Sequence, residues 1–467
     1  MERLNVIPYP NKVEFTGGTL KTENLLTAEM PIDLVPGSMG DEAYILEITP
    51  EGVNAKCATK KGMFYAQQTL IQLVADEEIP CCVIEDEPAF PYRGFMIDTV
   101  RHIVSVEDTK KMIDAAASLK FNAFHWHLTD DQGWRAQIDS RPLLCEKGSV
   151  RSGSFFGREE SGTEYGGYFT KDEMKEIVAY AEERFIDVIP EIDMPGHSSA
   201  LLHAYPEITC KGKDVEVKTK QGIYSDIICA GKDESFSIIF DIIDELCDIF
   251  PGEYFHIGGD EVPKTEWSQC PDCKKRKAEL GIKSDNELQR WFMQKVADHV
   301  REKGKTAVVW NDAVKAGEVE GASVQFWMGR KKPTVKIANG GGRIIVSDFY
   351  HYYTDYNYSI TPLKKTYNYN PRLKGVTAEG LKNIAGVETP VWTEYIKDFD
   401  RLCFLTFPRY AAVAENGWTL QENKDEEDFE RRFEIFTKSL RQKGITPADK
   451  EEWNPPLMKR FTGARLY

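Results

Sequence analysis

No stretch of the 467-residue chain stays apolar long enough to span a bilayer. The opening, Met1-Glu2-Arg3-Leu4-Asn5-Val6-Ile7-Pro8, lacks the apolar core of a secretory signal. As it stands the chain is expected to be cytoplasmic; a secreted protein trimmed of its signal would read the same way. Basic runs are missing too. Lysine and arginine number 59 against 75 aspartates and glutamates, a net charge of −16. So acidic a protein has no electrostatic footprint for nucleic acid or an anionic membrane, and neither is expected as a partner. Paired cysteine motifs are also lacking. The ten cysteines are scattered, and Cys229, Cys247 and Cys403 lie inside apolar runs, as small buried hydrophobes do. Cys270-Pro271-Asp272-Cys273 is a lone CxxC with no second pair nearby to complete a tetrahedral zinc site, so it reads as structural or incidental.

What is present is enough core for two or three domains: 41% of the residues are apolar. Residues 1–89 read as a small α+β unit. Tyr44-Ile45-Leu46-Glu47-Ile48 alternates like a strand, residues 52–57 look like its hairpin partner, and 62–74 carries an amphipathic helical pattern. A charged, proline-punctuated linker follows over 85–91. From residue 90 to 467 short apolar strands alternate with longer helices. Strands are expected over 94–99, 122–128, 187–192, 254–259, 306–310, 323–327, 343–347 and 389–392. Helices are expected over 106–120, 171–185, 235–250 and 286–303. Eight strands in repeated βα units fit a (β/α)8 barrel, so the fold class is α/β, a TIM barrel behind a small N-terminal α+β domain. Large loops are expected over 131–170 and 195–232, and a charged amphipathic helix over 425–443 should pack on the outside of the barrel.

The chain is organised around Tyr254-Phe255-His256-Ile257-Gly258-Gly259-Asp260-Glu261. A buried strand opens through two glycines into adjacent acids. Like charge and desolvation should push one carboxyl towards its neutral, proton-donating form while the other stays charged, the composition of a general-acid site. A barrel holds its chemistry at the C-terminal ends of its strands. Those ends carry Asp98 and Arg101, His127 and Asp130-Asp131, Asp193 and His197, and Asp260-Glu261. They continue with Trp310 and Asp312, Trp327, Tyr353 and Asp355, and Trp392 and Glu394. Tryptophan walls interleaved with carboxylates and an arginine suit a sugar ring, which offers CH faces and paired hydroxyls.

In order and spacing, five stretches resemble glycoside hydrolase family 20, the β-N-acetylhexosaminidases. They are Tyr92-Arg93-Gly94-Phe95-Met96-Ile97-Asp98-Thr99-Val100-Arg101-His102, Phe124-His125-Trp126-His127-Leu128-Thr129-Asp130-Asp131-Gln132-Gly133-Trp134 and Pro190-Glu191-Ile192-Asp193-Met194-Pro195-Gly196-His197, then His256-Ile257-Gly258-Gly259-Asp260-Glu261 and Val391-Trp392-Thr393-Glu394-Tyr395. Ile7-Pro8-Tyr9-Pro10 and residues 62–70 resemble the N-terminal domain of that family. The resemblance implies that Glu261 is the general acid and then the base, and that Asp260 holds the substrate's 2-acetamido N–H. It implies that Tyr353 bonds the acetamido oxygen, and that Trp310, Trp327 and Trp392 wall the acetamido pocket and the sugar face. Arg101 and Glu394 would bind ring hydroxyls, Asp355 would be a further contact, and Asp130 and His197 would form a relay behind Glu261. The implied substrate is an oligosaccharide or glycoconjugate ending in N-acetylhexosamine; no cofactor and no metal are implied. Ordinary retaining glycosidases set two carboxylates on opposite sides of the bond, whereas in family 20 the substrate's own acetamide attacks.

Two rival readings compete. His125 and His127 point to one side of a strand like an HxH metal pair, which His197, His256 and Asp260 could complete into a metal-dependent barrel hydrolase. A carbohydrate-binding barrel that has lost catalysis is the other, and the intact Asp260-Glu261 pair argues against it. The sequence leaves the natural glycan, gluco or galacto preference and oligomeric state open.

Overall fold

The structure is a computed structural model that describes residues 3–24 and 32–463. A mixed sheet comes first, built from β1 (Lys12–Lys21), β2 (Ile32–Leu34), β3 (Tyr44–Thr49), β4 (Gly52–Cys57) and β5 (Glu78–Asp86) in the order β1-β5-β3-β4-β2. The expected hairpin is there: β3 and β4 pair antiparallel, with Tyr44 opposite Cys57 and Thr49 opposite Gly52. Helix α1 (Lys60–Leu73) starts where Thr59 accepts the amides of Lys61 and Gly62, and buries Tyr65, Ala66, Thr69 and Leu73.

The stretch expected as a linker begins inside a strand. β5 runs to Asp86, whose side chain is buried and accepts from the Tyr44 hydroxyl at 2.5 Å, Trp418 Nε1 at 2.9 Å and Lys120 Nζ at 3.2 Å. A buried charge is retained only when paired and hydrogen-bonded. This one joins the sheet to the barrel, together with the Arg93–Glu42 ion pair at 2.7 Å.

The barrel closes from eight parallel strands: β6 (Tyr92–Asp98), β7 (Ala123–His127), β8 (Asp187–Glu191), β9 (Tyr254–His256), β10 (Thr306–Trp310), β11 (Ser323–Phe326), β12 (Ile344–Val346) and β13 (Ile384–Val391). β13 pairs with β6, which makes the closure. Four of the covering helices are those the periodicity predicts: α2 (Val106–Ser118), α3 (Lys171–Glu182), α4 (Asp233–Ile249) and α5 (Asp285–Glu302). Capping boxes at Thr170/Glu173 and Ser284/Glu287 open α3 and α5. Helix α6 (Arg409–Trp418) packs on β13 and β6. Helix α7 (Glu426–Gln442) lies outside it, as expected, with Arg432 forked onto Glu415 at 2.8 and 2.9 Å.

Alternation along the strands sorts the barrel interior into layers. Tyr92, Ala123, Ile189, Tyr254, Val308, Ile345 and Ala385 form one apolar cluster. Two positions further along several of these strands the interior turns polar. His125 Nδ1 meets Glu388 at 2.9 Å, His256 Nδ1 meets Glu191 at 2.9 Å, and Gln325 donates to Glu388 at 2.5 Å. Above this layer lies the mouth.

One expectation fails in the loops. The Cys270/Cys273 pair is not alone, because the long loop after β8 folds back and brings Cys210 and Cys229 against it.

Candidate active site

β9 ends at His256, and the next residues turn sharply, with Gly258 at φ +65° and Gly259 at φ +105°. A Cβ on Gly258 would stand 1.7 Å from Asp193 Oδ1, so no side chain fits there. That carboxylate accepts the Gly259 amide at 3.1 Å. Glu261 also sits at positive φ, +45°, unusual for a residue with a Cβ, and its amide is held by Asp312 at 3.2 Å. Strained positions of this kind persist only where their surroundings over-determine them, and they gather at functional sites. His197, facing it, has φ +47°.

The turn delivers Asp260 and Glu261 to a cavity of about 360 Å3 at the C-terminal mouth of the barrel. Arg101, Asp130, His197, Trp327, Tyr353, Asp355, Trp392 and Glu394 line the same cavity. Trp310 is set apart from them. It is buried below the mouth, its ring centroid 6.3 Å from that of Trp392, and its Nε1 donates to Glu191 at 2.7 Å. Tyr353 lies roughly parallel to Trp327, with centroids 6.3 Å apart.

A chain of charges runs behind Glu261. His197 Nε2 stands 3.6 Å from Glu261 Oε2 and 3.8 Å from Asp260 Oδ2, while its Nδ1 meets Asp130 at 3.1 Å. Asp130 also takes Arg101 Nη2 at 2.7 Å and His127 Nε2 at 3.0 Å. His127 is in turn bonded to Glu191. Burial opposes the charge on Asp130, but Arg101, His197 and His127 hold its pKa well below the usual carboxylate range. Burial likewise opposes a cationic His197, and Asp130, Asp131 and Glu261 raise its pKa well above that of a free imidazole. Asp260 moves the other way. Burial, with Glu191, Glu261 and Asp312 adding like charge against the pull of His197, pushes it up to about 7. Arg101 also meets Asp98 at 3.2 Å, approaches Glu394 at 3.8 Å and lies 5.1 Å over the Trp392 ring.

The HxH pair does not reach the cavity. His125 is held between Glu191 at 3.2 Å and Glu388 at 2.9 Å, and His127 between Glu191 and Asp130, so carboxylates take both nitrogens of each ring. Burial lowers His125, yet Glu388 and Glu191 lift it to about 9. These rings order the barrel centre.

Several contributors are given no role by the sequence reading. Glu191 gathers His125, His127, His256 and Trp310. Asp131 fixes Ser199 at 2.5 Å, close to His197. Gln221, Met328, Phe349, Tyr356 and Tyr395, with the strand-end Asp193, complete the cavity wall. Glu191 left a signal, an acid closing a strand whose middle, Val188-Ile189-Pro190, is apolar.

An eight-stranded barrel with a half-buried acid pair at its mouth, aromatic walls and a fixed arginine has the build of a glycoside hydrolase. The profile of glycosyl hydrolase family 20, catalytic domain, matches residues 90–421, and that of glycosyl hydrolase family 20, domain 2, matches residues 26–87. The chain belongs to glycoside hydrolase family 20. It is 39% identical over 430 residues to a β-hexosaminidase of Porphyromonas gingivalis, an alignment covering 87% of this chain and 54% of that protein. The chain thus spans about half the length of that relative. Identity to a β-hexosaminidase of Akkermansia muciniphila is 34% over 474 residues, covering 97% of this chain and 94% of the relative. Among solved structures, a β-N-acetylhexosaminidase superposes with a TM-score of 0.90 at 33% identity, covering 98% of this chain and 99% of that one.

Proposed function

We propose that the chain removes terminal, non-reducing β-linked N-acetylhexosamine from glycans, with retention and by attack of the substrate's own acetamide. Family membership and the β-hexosaminidase relatives support the reaction. The observation that carries the mechanism is the adjacency of Asp260 and Glu261, with Glu261 backed by His197 and Asp130. Glu261 is the proton donor to the leaving oxygen, then the base that activates water. Asp260 takes the acetamido N–H. Burial pushes its pKa up to about 7. An amide donor and a positive charge developing on the acetamide both favour the ionised form. Tyr353 bonds the acetamido oxygen, Trp327 and Trp392 enclose the acyl group, and Trp310 supports Trp392 from below. Arg101, Asp355 and Glu394 bind ring hydroxyls, and residues 1–89 act as an accessory unit to the barrel.

The test is a hydrolysis panel of chromogenic β-N-acetylglucosaminide, β-N-acetylgalactosaminide and β-glucoside. Turnover of one or both acetamido sugars with none of the glucoside is expected. Hydrolysis of the glucoside at a comparable rate would overturn the reading.

A further inference from the structure

Four thiols meet outside the cavity. Cys210 and Cys229 come from the loop between β8 and α4, and Cys270 and Cys273 from the segment between β9 and α5. Cys229 Sγ lies 3.7 Å from Cys270 Sγ and 3.6 Å from Cys273 Sγ, and Cys210 Sγ lies 3.9 Å from Cys273 Sγ. All four sulfurs are within 4.8 Å of one another. A disulfide requires about 2.05 Å, and all four cysteines are free. Zinc–thiolate bonds of ~2.3 Å to the corners of a tetrahedron put the sulfurs ~3.8 Å apart. The observed separations fall on that edge length.

The surroundings fit the same centre. Cys229, Cys270 and Cys273 are buried and Cys210 is half-buried. Cys270 caps the ten-residue helix Pro271–Leu280, and Cys273 sits in its first turn. A Cβ on Gly231 would lie 2.2 to 2.5 Å from backbone atoms of Asp272 and Cys273, so only glycine lets the Cys229 loop come this close to the CxxC turn. Cations surround the cluster. Lys232 Nζ donates to the carbonyls of Glu207 at 2.6 Å and Thr209 at 2.9 Å, and Arg276 donates to that of Gly231 at 3.2 Å. They fix the backbone beside Cys210 and Cys229 and offset the charge that four thiolates around a divalent ion leave.

We propose that Cys210, Cys229, Cys270 and Cys273 bind one zinc ion in a closed, all-thiolate structural site. An all-sulfur tetrahedron selects zinc or iron over hard cations, and with four protein ligands it has no open position for substrate. The thiols lose their protons to solvent on binding. The ion staples the loop that carries His197 to the segment that follows Glu261, so it acts on the stability of the active-site rim and takes no part in the chemistry. The ligands are hidden in sequence because Cys229 precedes Cys270 by 41 residues and Cys210 precedes Cys273 by 63.

The full chain, purified under reducing conditions without added metal, is analysed for metals by mass spectrometry. About one zinc per chain is expected for a single closed site. A mercurial thiol reagent should release it in proportion, and cobalt exchanged into the site should give the intense visible bands of a tetrahedral thiolate complex. Cys229→Ser should abolish zinc binding and lower the unfolding midpoint, while the folded fraction keeps kcat on an acetamido substrate within a few-fold. If Cys229→Ser fails to fold, Cys210→Ser at the half-buried corner and the cobalt spectrum of the unaltered protein carry the test. Iron in place of zinc, disulfides among these cysteines, or four free thiols that take up no metal from zinc and reductant would each overturn the proposal.

Discussion

His197 and Glu261 face each other across 3.6 Å, with the imidazole anchored on its far side to Asp130 at 3.1 Å. The contact joins the proposed proton donor to a buried charge chain that continues through Arg101 and His127. A positioned general acid typically contributes ~10²–10⁴-fold. Glu261→Gln should lose activity in that range, most on natural sugar leaving groups and least on activated aryl ones, which need little protonation. His197→Asn should lose less and shift the pH profile, because it acts through Glu261. Both are read from kcat/KM against leaving-group pKa; equal losses across leaving groups for Glu261→Gln would remove its acid role.

Asp260 gives a stability test whose sign is fixed. Its folded pKa, about 7, lies above the ~3.9 of an unfolded aspartate. Between those values the folded state keeps a proton the unfolded chain has lost, so this group's contribution to stability falls as pH rises through the window and levels off above about 7. Asp260→Asn removes the titration. The variant should therefore be more stable than the parent at pH 8 and show little difference at pH 4, while its activity collapses. Each pKa unit is worth ~1.4 kcal/mol, enough to see in thermal melts across that range. No gain in melting temperature at pH 8 would show that Asp260 is not strained in its ionised form.

Much of this site is legible in the sequence. Barrel chemistry collects at strand ends, so Asp98, His127, Asp193, Asp260 and Trp310 can be placed by locating the ends of short apolar runs. Tyr353 and Glu394, just past strand ends, are placed the same way, but their roles come from the resemblance rather than from periodicity. What stayed hidden depends on contacts distant in sequence. Glu191 looks like one acid in a strand until three histidines from other positions on the barrel wall converge on it. Asp86 looks like part of a solvated linker until Tyr44, Lys120 and Trp418 close over it. The cysteine cluster needs two loops to fold before its members meet. Trp310, at a strand end like Trp327, differs from it because its strand position points into the barrel beneath Trp392 rather than at the cavity.

The aromatic enclosure predicts discrimination at the acyl group. Tyr353 makes ring contact with both tryptophans, its centroid 6.3 Å from that of Trp327 and 6.4 Å from that of Trp392. A rigid, close-packed wall does not absorb added methylenes without strain, typically ~1–3 kcal/mol. Activity should fall steeply from N-acetyl to N-propionyl and N-butyryl sugars. Trp327→Ala should relax that preference while slowing the acetyl substrate. Equal rates along the acyl series with the parent enzyme would take the acyl group out of this enclosure.

The sharpest prediction concerns which atom attacks the anomeric carbon. If it is the acetamide oxygen, a five-membered ring closes onto C1 and water then opens it with net retention. A well-oriented neighbouring group can reach an effective molarity of ~10⁵ M or more. The protein then has to orient the amide and balance the positive charge that appears on it, the position Asp260 occupies beside Glu261. Such fixed charge in a site that excludes water is worth far more than in solution. A stable thiazoline mimic of the bicyclic intermediate should therefore bind far more tightly than the product sugar, and Asp260→Ala should lose most of that advantage. A 2-hydroxy sugar of the same shape should bind yet turn over negligibly. The opposing mechanism, a protein nucleophile, leaves a sugar ester on a carboxylate. Asp355 and Glu394 both line the cavity and are the residues to watch. Mass spectrometry of the enzyme after incubation with an activated 2-fluoro glycoside decides between them, and a labelled peptide containing either acid would sink the acetamide route.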